Sequence, residues 1–227
     1  MKSIEEMVRV GMHFGHQTRK WNPKMAPFLY GQRNGIHVLD LVQTHQCLQS
    51  TCDFLEKSAS ENKTFLFVGT KKQAGRVVAQ AAGLCNGFFV NQRWLGGMLT
   101  NWSTLQVSLK RLEQLENQSF EGLPKKEAAN LKKEWARLNK YLGGLKSMQA
   151  LPDVVILVGQ PEELNVVREC RKLKIPVVAM LDSNCDPTMA DWGVPANDDS
   201  VGSIQAVLEC FVEAIQKGNI ARLSAVR

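Results

Sequence analysis

Thr64–Gly69 reads TFLFVG and Val154–Gly159 reads VVILVG. Each is a short, unbroken apolar run that stops at a glycine. A strand with one wet face alternates apolar and polar residues; an unbroken run needs apolar cover on both faces. Gly87–Val90 (GFFV) and Pro176–Leu181 (PVVAML, then Asp182) are of the same kind. Amphipathic stretches lie between them. Asp40–Ser60 precedes the first run and Gln73–Ala82 follows it. Glu162–Lys172 follows the third, with Pro161 suited to a first helical turn. Ser200–Lys217 carries Ile204, Val207, Leu208, Phe211 and Ile215 on one stripe, and Gly218 reads as its stop. Strands alternating with helices predict an α/β fold, a Rossmann-like (flavodoxin-like) parallel sheet flanked by helices.

One segment breaks the alternation. Trp102–Leu142 has no strand signal. Trp102, Leu105, Leu109 and Leu112 recur at heptad steps, as do Ala128, Leu131, Trp135, Leu138 and Leu142. Gln118–Pro124 reads as the turn between them, and Gly143-Gly144 as the return to the sheet. The pattern predicts an antiparallel helical hairpin (coiled coil) about 27 Å long, inserted as residues 101–146 into an α/β domain of residues 1–100 and 147–227. The other reading of the same spacing is two ordinary helices packed flat on the sheet.

The 227 residues are 44% hydrophobic, ordinary for a globular protein, and carry a net charge of +6. That charge is uneven. Residues 1–100 hold 12 basic and 6 acidic side chains, residues 101–146 hold 9 and 5, and residues 147–227 hold 7 and 11. The first two thirds suit a polyanion; the last third is expected to face solvent or protein. No apolar run is long enough to span a membrane, and the opening MKSIEEMVRV reads as neither a signal nor an import peptide. Six cysteines without a CxxC pair point to reduced thiols in or near the core.

Four constellations could carry function. Val68–Gln73 (VGTKKQ) places a strand end, a glycine and two lysines at a helix start, a point attractive to phosphate; it has neither the Walker A nor the GxGxxG spacing. His13 and His16 could hold a metal with Asp182, Asp186, Asp198 or Asp199, though the spacing matches no catalytic zinc signature; His16, Asp182 and Asp199 are the candidates, and histidines that merely hold loops together are the alternative. Arg19–Pro27 (RKWNPKMAP), continued by Arg33, displays Arg19, Lys20, Lys24 and Trp21 on a segment that Pro23 and Pro27 keep irregular. That composition suits RNA, the cations on phosphates and Trp21 on a base or ribose. In Val90–Trp102 (VNQRWLGGMLTNW), Arg93 is the phosphate candidate, Trp94 is expected in the core, and Asn101 is placed to cap the following helix. No nucleophile–base pair emerges from the spacing of the four histidines, so binding outranks catalysis and no cofactor is expected.

Gly11–His16 (GMHFGH), Trp21–Met25 (WNPKM), Phe67–Lys72 (FVGTKK), Arg93–Asn101 (RWLGGMLTN), Ile175-Pro176, Asp182–Pro187 (DSNCDP) and Pro195–Asp199 (PANDD) follow one another in this order. In these motifs the chain resembles, over essentially its whole length, the bacterial and organellar form of small ribosomal subunit protein two. Gly159 and Ser183 depart from the pattern, where many relatives carry Asp and Thr. The resemblance implies a non-enzymatic constituent of the small ribosomal subunit. It would sit on the solvent side at the head–body junction, touching small-subunit ribosomal RNA, neighbouring ribosomal proteins and ribosomal protein one where present, and it would not be a homo-oligomer. Carried over by motif, Arg19, Lys20, Lys24, Arg33, Lys71, Lys72 and Arg93 are the expected RNA contacts. Lys110, Arg111, Lys125, Lys126, Lys132, Lys133 and Lys140 of the hairpin join them on charge alone. RKWNPKMAP, LPKKEAANLKK, YLGG, SNCDP and PANDD resemble plastid versions, which implies a chloroplast ribosome, with a cyanobacterial-type cytoplasm as the alternative. The competing function is a Rossmann-type enzyme using the Gly69 turn for a nucleotide or the His16/Asp182 cluster for a metal.

Overall fold

The computed structural model describes residues 2–118 and 124–225. In chain order the elements are α1 (Ile4–Arg9), β1 (Phe14–Gln17), β2 (Leu29–Arg33), β3 (Ile36–Leu39), α2 (Leu41–Ser60), β4 (Phe65–Val68), α3 (Gly75–Leu84), β5 (Phe88–Val90), α4 (Trp102–Asn117), α5 (Lys125–Leu142), β6 (Val154–Leu157), α6 (Leu164–Leu173), β7 (Val177–Leu181), β8 (Trp192–Pro195) and α7 (Val201–Ala225). Strands β5-β4-β6-β7-β8 form one wholly parallel sheet in that order. This is the flavodoxin-like doubly wound order, so the expected fold class holds.

The four apolar runs form strands as expected; every residue of β4, β6 and β7 is buried, whereas Phe88 and Phe89 of the edge strand β5 are half-buried. Phe65, Phe67, Val154, Ile156, Val178 and Met180 face a core shared with Met7 and with α2, α3 and α7. Their neighbours Leu66, Val68, Val155, Leu157, Val177 and Ala179 face a second core, shared with α4, α5, α6 and Met25. Leu105, Leu109, Leu112 and Leu142 enter that second core, and Trp135 and Leu138 pack against it half-buried. The two heptad seams therefore lie on two helices that join the sheet's cover as well as each other. Arg111 also pairs across them with Glu134, both contacts at 3.1 Å. The expected turn Gln118–Pro124 falls mostly outside the described residues.

Four expectations need correction. Gly218 does not stop the last helix, which runs through it to Ala225. A Cβ at Gly218 would run into the backbone of Glu56 and, at 2.7 Å, the side chain of Ala59. The glycine lets α7 lie directly on α2. Pro161 lies ahead of α6 rather than in its first turn. Asn101 occupies the cap position of α4, yet its side chain takes a bond from Thr104 Oγ1 at 2.9 Å and none from a backbone amide. Finally, the stretch around residues 14–39 is more ordered than its composition indicates. It forms a three-stranded antiparallel sheet, β1-β3-β2, with 3₁₀ turns at Thr18–Lys20 and Pro23–Phe28.

Candidate functional site

The functional surface is assembled at the carboxyl ends of the parallel strands. There β4 leads to Gly69–Lys72, β7 to Asp182–Ser183, and β8 to Asn197–Asp199. In doubly wound folds, ligands bind where neighbouring connections diverge, here between β4 and β6.

That point is occupied by the chain's own charges. The Lys71 ammonium lies 2.6 Å from Asp198 Oδ1, 3.0 Å from Asp199 Oδ1 and 3.8 Å from Glu162 Oε1. Next to it, His16 bonds Asp182 through Nδ1 at 3.0 Å and Asp199 through Nε2 at 3.2 Å. The His16 amide donates to Ser183 Oγ at 2.8 Å, and the Asp198 amide to Asp182 Oδ2 at 3.3 Å. The hydrogen bond that His16 donates to Asp182 leads in raising the His16 pKa above 6.5, against the pull of burial. Burial, then the Asp182 charge, pushes the Asp198 carboxyl up to about 7, although Lys71 pulls the other way. Burial works against the charge on Lys71, but Asp198 and its neighbours outweigh it and hold that ammonium above its ordinary range. Asp198 is fully buried and its Oδ2 has no partner.

Of the metal candidates, His16 and Asp182 offer ligand atoms within 4.8 Å of one another together with Asp198, and Asp199 approaches His16 Nε2 at 3.2 Å. Such donors suit a divalent cation. In this chain the positive charge among them comes from Lys71. The nucleotide alternative fares no better. A Cβ at Gly69 would meet Val78 at 2.9 Å, Ala74 at 3.3 Å and Val158 at 3.4 Å. The glycine serves the close packing of α3 on the sheet, and the Thr70 hydroxyl beside it is bonded to Glu163. The enzyme reading is not supported.

Beside this closed cluster lies an open, polar one. Thr70, Lys72, Arg76, Gln80, Asn91 and Gln92 line a groove of about 730 Å³ at the start of α3. Lys72 and Arg76 are exposed, and Arg93, also exposed, follows Gln92 directly. Arg76 escaped the sequence reading; it stands in the first turn of α3, and Lys72 in the turn that leads into it.

The remaining expected contacts divide by what holds them. Arg19 and Lys20 are exposed in the first 3₁₀ turn, Arg19 bonded to Gln17 at 3.0 Å. Trp21 is 36% exposed and packs on His37 with ring centroids 5.0 Å apart. Lys24 is tied to Asp186 at 2.6 Å. Arg33, Lys110, Lys125, Lys126, Lys132, Lys133 and Lys140 are exposed, Lys140 with its ammonium 5.6 Å from the centre of the Tyr141 ring; Arg111 pairs with Glu134.

The motif RWLGGMLTN has an account of its own. Its loop wraps around the carboxylate of Glu169, on α6. Oε1 accepts from Trp94 Nε1 at 2.9 Å and the Gly97 amide at 2.8 Å. Oε2 accepts from the amides of Leu99 and Thr100, both at 3.0 Å, and from Thr100 Oγ1 at 3.1 Å. Burial opposes the charge, but these donors prevail and bring the carboxyl below its ordinary value. Trp94 is in the core as expected, and the loop projects Arg93 outward. The cysteines are free thiols, five buried and Cys47 half-buried.

Comparison with known proteins agrees with the geometry. The family model described as ribosomal protein S2 matches residues 7–218. A small ribosomal subunit protein uS2c of Oltmannsiellopsis viridis is 60% identical, the match covering 95% of this chain and 92% of the relative. Its counterpart in Chlorella vulgaris is 54% identical over 97% of this chain and 84% of the relative. The uS2 protein of Rippkaea orientalis is 50% identical over 98% and 85%. A parallel sheet with its switch point filled from within, basic side chains turned outward and a family match along nearly the whole chain lead to one conclusion: this chain belongs to the ribosomal protein S2 family, structural and non-enzymatic constituents of the small ribosomal subunit.

Proposed function

We propose that the chain serves in the chloroplast ribosome as a scaffold at the solvent-side junction of head and body, holding small-subunit ribosomal RNA on its basic surface. The observation that carries this reading is the separation of cations into two sets. Lys71, at the edge of the groove, is tied to the buried Asp198 and to Asp199, whereas Lys72, Arg76 and Arg93, in or beside the same groove, are exposed. Arg19, Lys20 and Arg33 extend the exposed set across the N-terminal segment, with Trp21 at its edge. Lysines or arginines pairing with phosphates release condensed counterions and give a strongly salt-dependent affinity that is nearly blind to base sequence.

Helices α4 and α5 act in this reading as an arm inserted at residues 101–146, carrying Lys110, Lys125, Lys126, Lys132, Lys133 and Lys140 to RNA distant from the body. The acidic last third, repelled by phosphate, turns to solvent or to neighbouring proteins, ribosomal protein one among them where present. The test is gradient sedimentation of a native chloroplast lysate at low salt and at roughly 0.5 M salt, where long-range electrostatics are screened. Co-migration with the small subunit in both supports a shape-held, integral component. Loss at high salt alone marks a peripheral electrostatic binder, and absence at low salt overturns the reading.

A further inference from the structure

The small antiparallel sheet has an outer face that no contact described so far uses. Cross-strand pairs Phe14 with Val38, Gly31 with Val38 and Arg33 with Ile36 place Phe14, Val38, Ile36 and Arg33 on one side. The opposite side is inward: Leu39 is buried and His37 packs on Trp21. Register shifts between Leu29 and Gly31, so Tyr30 is an extra residue in its strand, and its side chain joins Phe14, Arg33, Ile36 and Val38 along one groove of about 620 Å³. Tyr30 is 82% exposed and Phe14 50%. The His13 ring backs Phe14 with centroids 4.0 Å apart. Two exposed rings on the strands either side of β3, with Arg33 in the same groove, form a patch that calls for a partner.

The charge around the patch says which kind. Arg33 lines the groove and no carboxylate does; from Met7 to Leu39 the chain carries Arg9, Arg19, Lys20, Lys24 and Arg33 and no carboxylate side chain, with Lys24 tied to Asp186 and Arg9 turned to a separate groove beside α7. An occupant must offer flat apolar faces and carry negative charge. Unpaired nucleotides do both, since every base has a stacking face and every linkage a phosphate. A duplex hides its bases and would leave the rings unused.

We propose that the outer face of β1-β3-β2 is a stacking platform for unpaired nucleotides of an RNA strand, with Phe14 and Tyr30 against bases and Arg33 on a phosphate. The proposal rests on the reading of the chain as an RNA-binding ribosomal protein and deepens it. The experiment measures fluorescence anisotropy of the full chain with a labelled, unstructured 12-nucleotide RNA and with a duplex of equal length, alongside subunit incorporation. Tyr30→Ala and Phe14→Ala are expected to weaken single-strand binding by roughly tenfold or more each, the scale of one lost stack, and to leave duplex binding unchanged. Tyr30→Phe should restore wild-type affinity, and Arg33→Ala should flatten the salt dependence. Because Tyr30 stands in solvent, its variants should keep the wild-type circular dichroism and melting temperature.

Unchanged single-strand affinity in both alanine variants, with affinity lost in Lys72→Glu/Arg76→Glu, would overturn the platform and leave the broader RNA reading standing. Loss of incorporation without loss of RNA affinity would overturn it in favour of a protein contact. A wild-type chain that binds neither RNA at low salt would bring down both.

Discussion

Two buried carboxylates, Glu169 and Asp198, are stabilised by opposite means. Glu169 is surrounded by neutral donors: one indole, one hydroxyl and three backbone amides converge on its two oxygens. Asp198 is answered by a charge, Lys71, and crowded by a second buried carboxylate, Asp182. Amides can saturate an anion without bringing another desolvated charge inside, and Glu169 ionises more readily than a free glutamate. A salt bridge leaves more unresolved: Asp198 keeps an unpartnered oxygen and a raised pKa. The first site fixes a loop for good, whereas the second is responsive to pH.

The comparison breaks most visibly at Glu169. Glu169→Ala should cost about 4 kcal/mol or more, since five donors lose their acceptor, two of them deep in the core; chemical denaturation measures it, and a loss under 1 kcal/mol would show that the loop holds itself. Lys71→Met should cost about 3 kcal/mol by stranding Asp198. Adding Asp198→Asn should recover much of that, and a double variant no better than the single would locate the cost elsewhere.

Acidity separates the two sites by sign. The raised pKa values of His16 and Asp198 mean that both bind protons more tightly when folded. The contribution of each is complete only below its ordinary value, 6.5 for His16 and 3.8 for Asp198, and is lost as pH rises through the folded value, about 7 for Asp198. The lowered pKa of Glu169 acts in reverse: its contribution is present above the ordinary glutamate value of 4.5 and is lost as pH falls through the folded value. Stability should therefore rise from pH 8 to pH 5 and drop below about pH 4, with Trp94 fluorescence reporting the acid limb; a curve rising steadily from 5 to 8 would contradict the His16 and Asp198 assignment. The smallest effect on folding is expected at the groove. Lys72→Glu with Arg93→Glu should leave the melting temperature unchanged while weakening subunit association in sedimentation, whereas Lys71→Glu should disturb both.

Legibility in the sequence followed length and burial. The runs at Phe65–Val68 and Val154–Leu157 announced themselves because strands covered on both faces have no polar positions to blur the pattern. Strand β8, Trp192–Pro195, was missed because four residues containing a glycine and a proline at a sheet edge carry almost no periodic signal. Strands β1 to β3 were missed because they are short, largely exposed and broken by register shifts. The Ser3–Glu6 capping box of α1 was readable, a serine followed three residues later by glutamate. At the site, sequence brings charged residues forward but not their allegiances. Lys71 and Lys72 are adjacent letters, and only the fold shows that one is tied to the buried Asp198 while the other stands exposed.

The stitching between the two ends of the chain bears on how it is made. The Asn22 amide donates to the Ser183 carbonyl at 2.8 Å, the His16 amide to the Ser183 hydroxyl, the Asn197 amide to Met12 at 3.1 Å, and the Thr44 hydroxyl to Pro195 at 2.7 Å. Contacts so remote along the chain close late. During synthesis the earliest residues, with Arg19, Lys20, Arg33 and both solvent-facing rings, must wait for the last two strands before taking their final shape. A truncated nascent chain would present RNA with loose charge and no geometry, and the finished surface would arise in one step with the completed sheet.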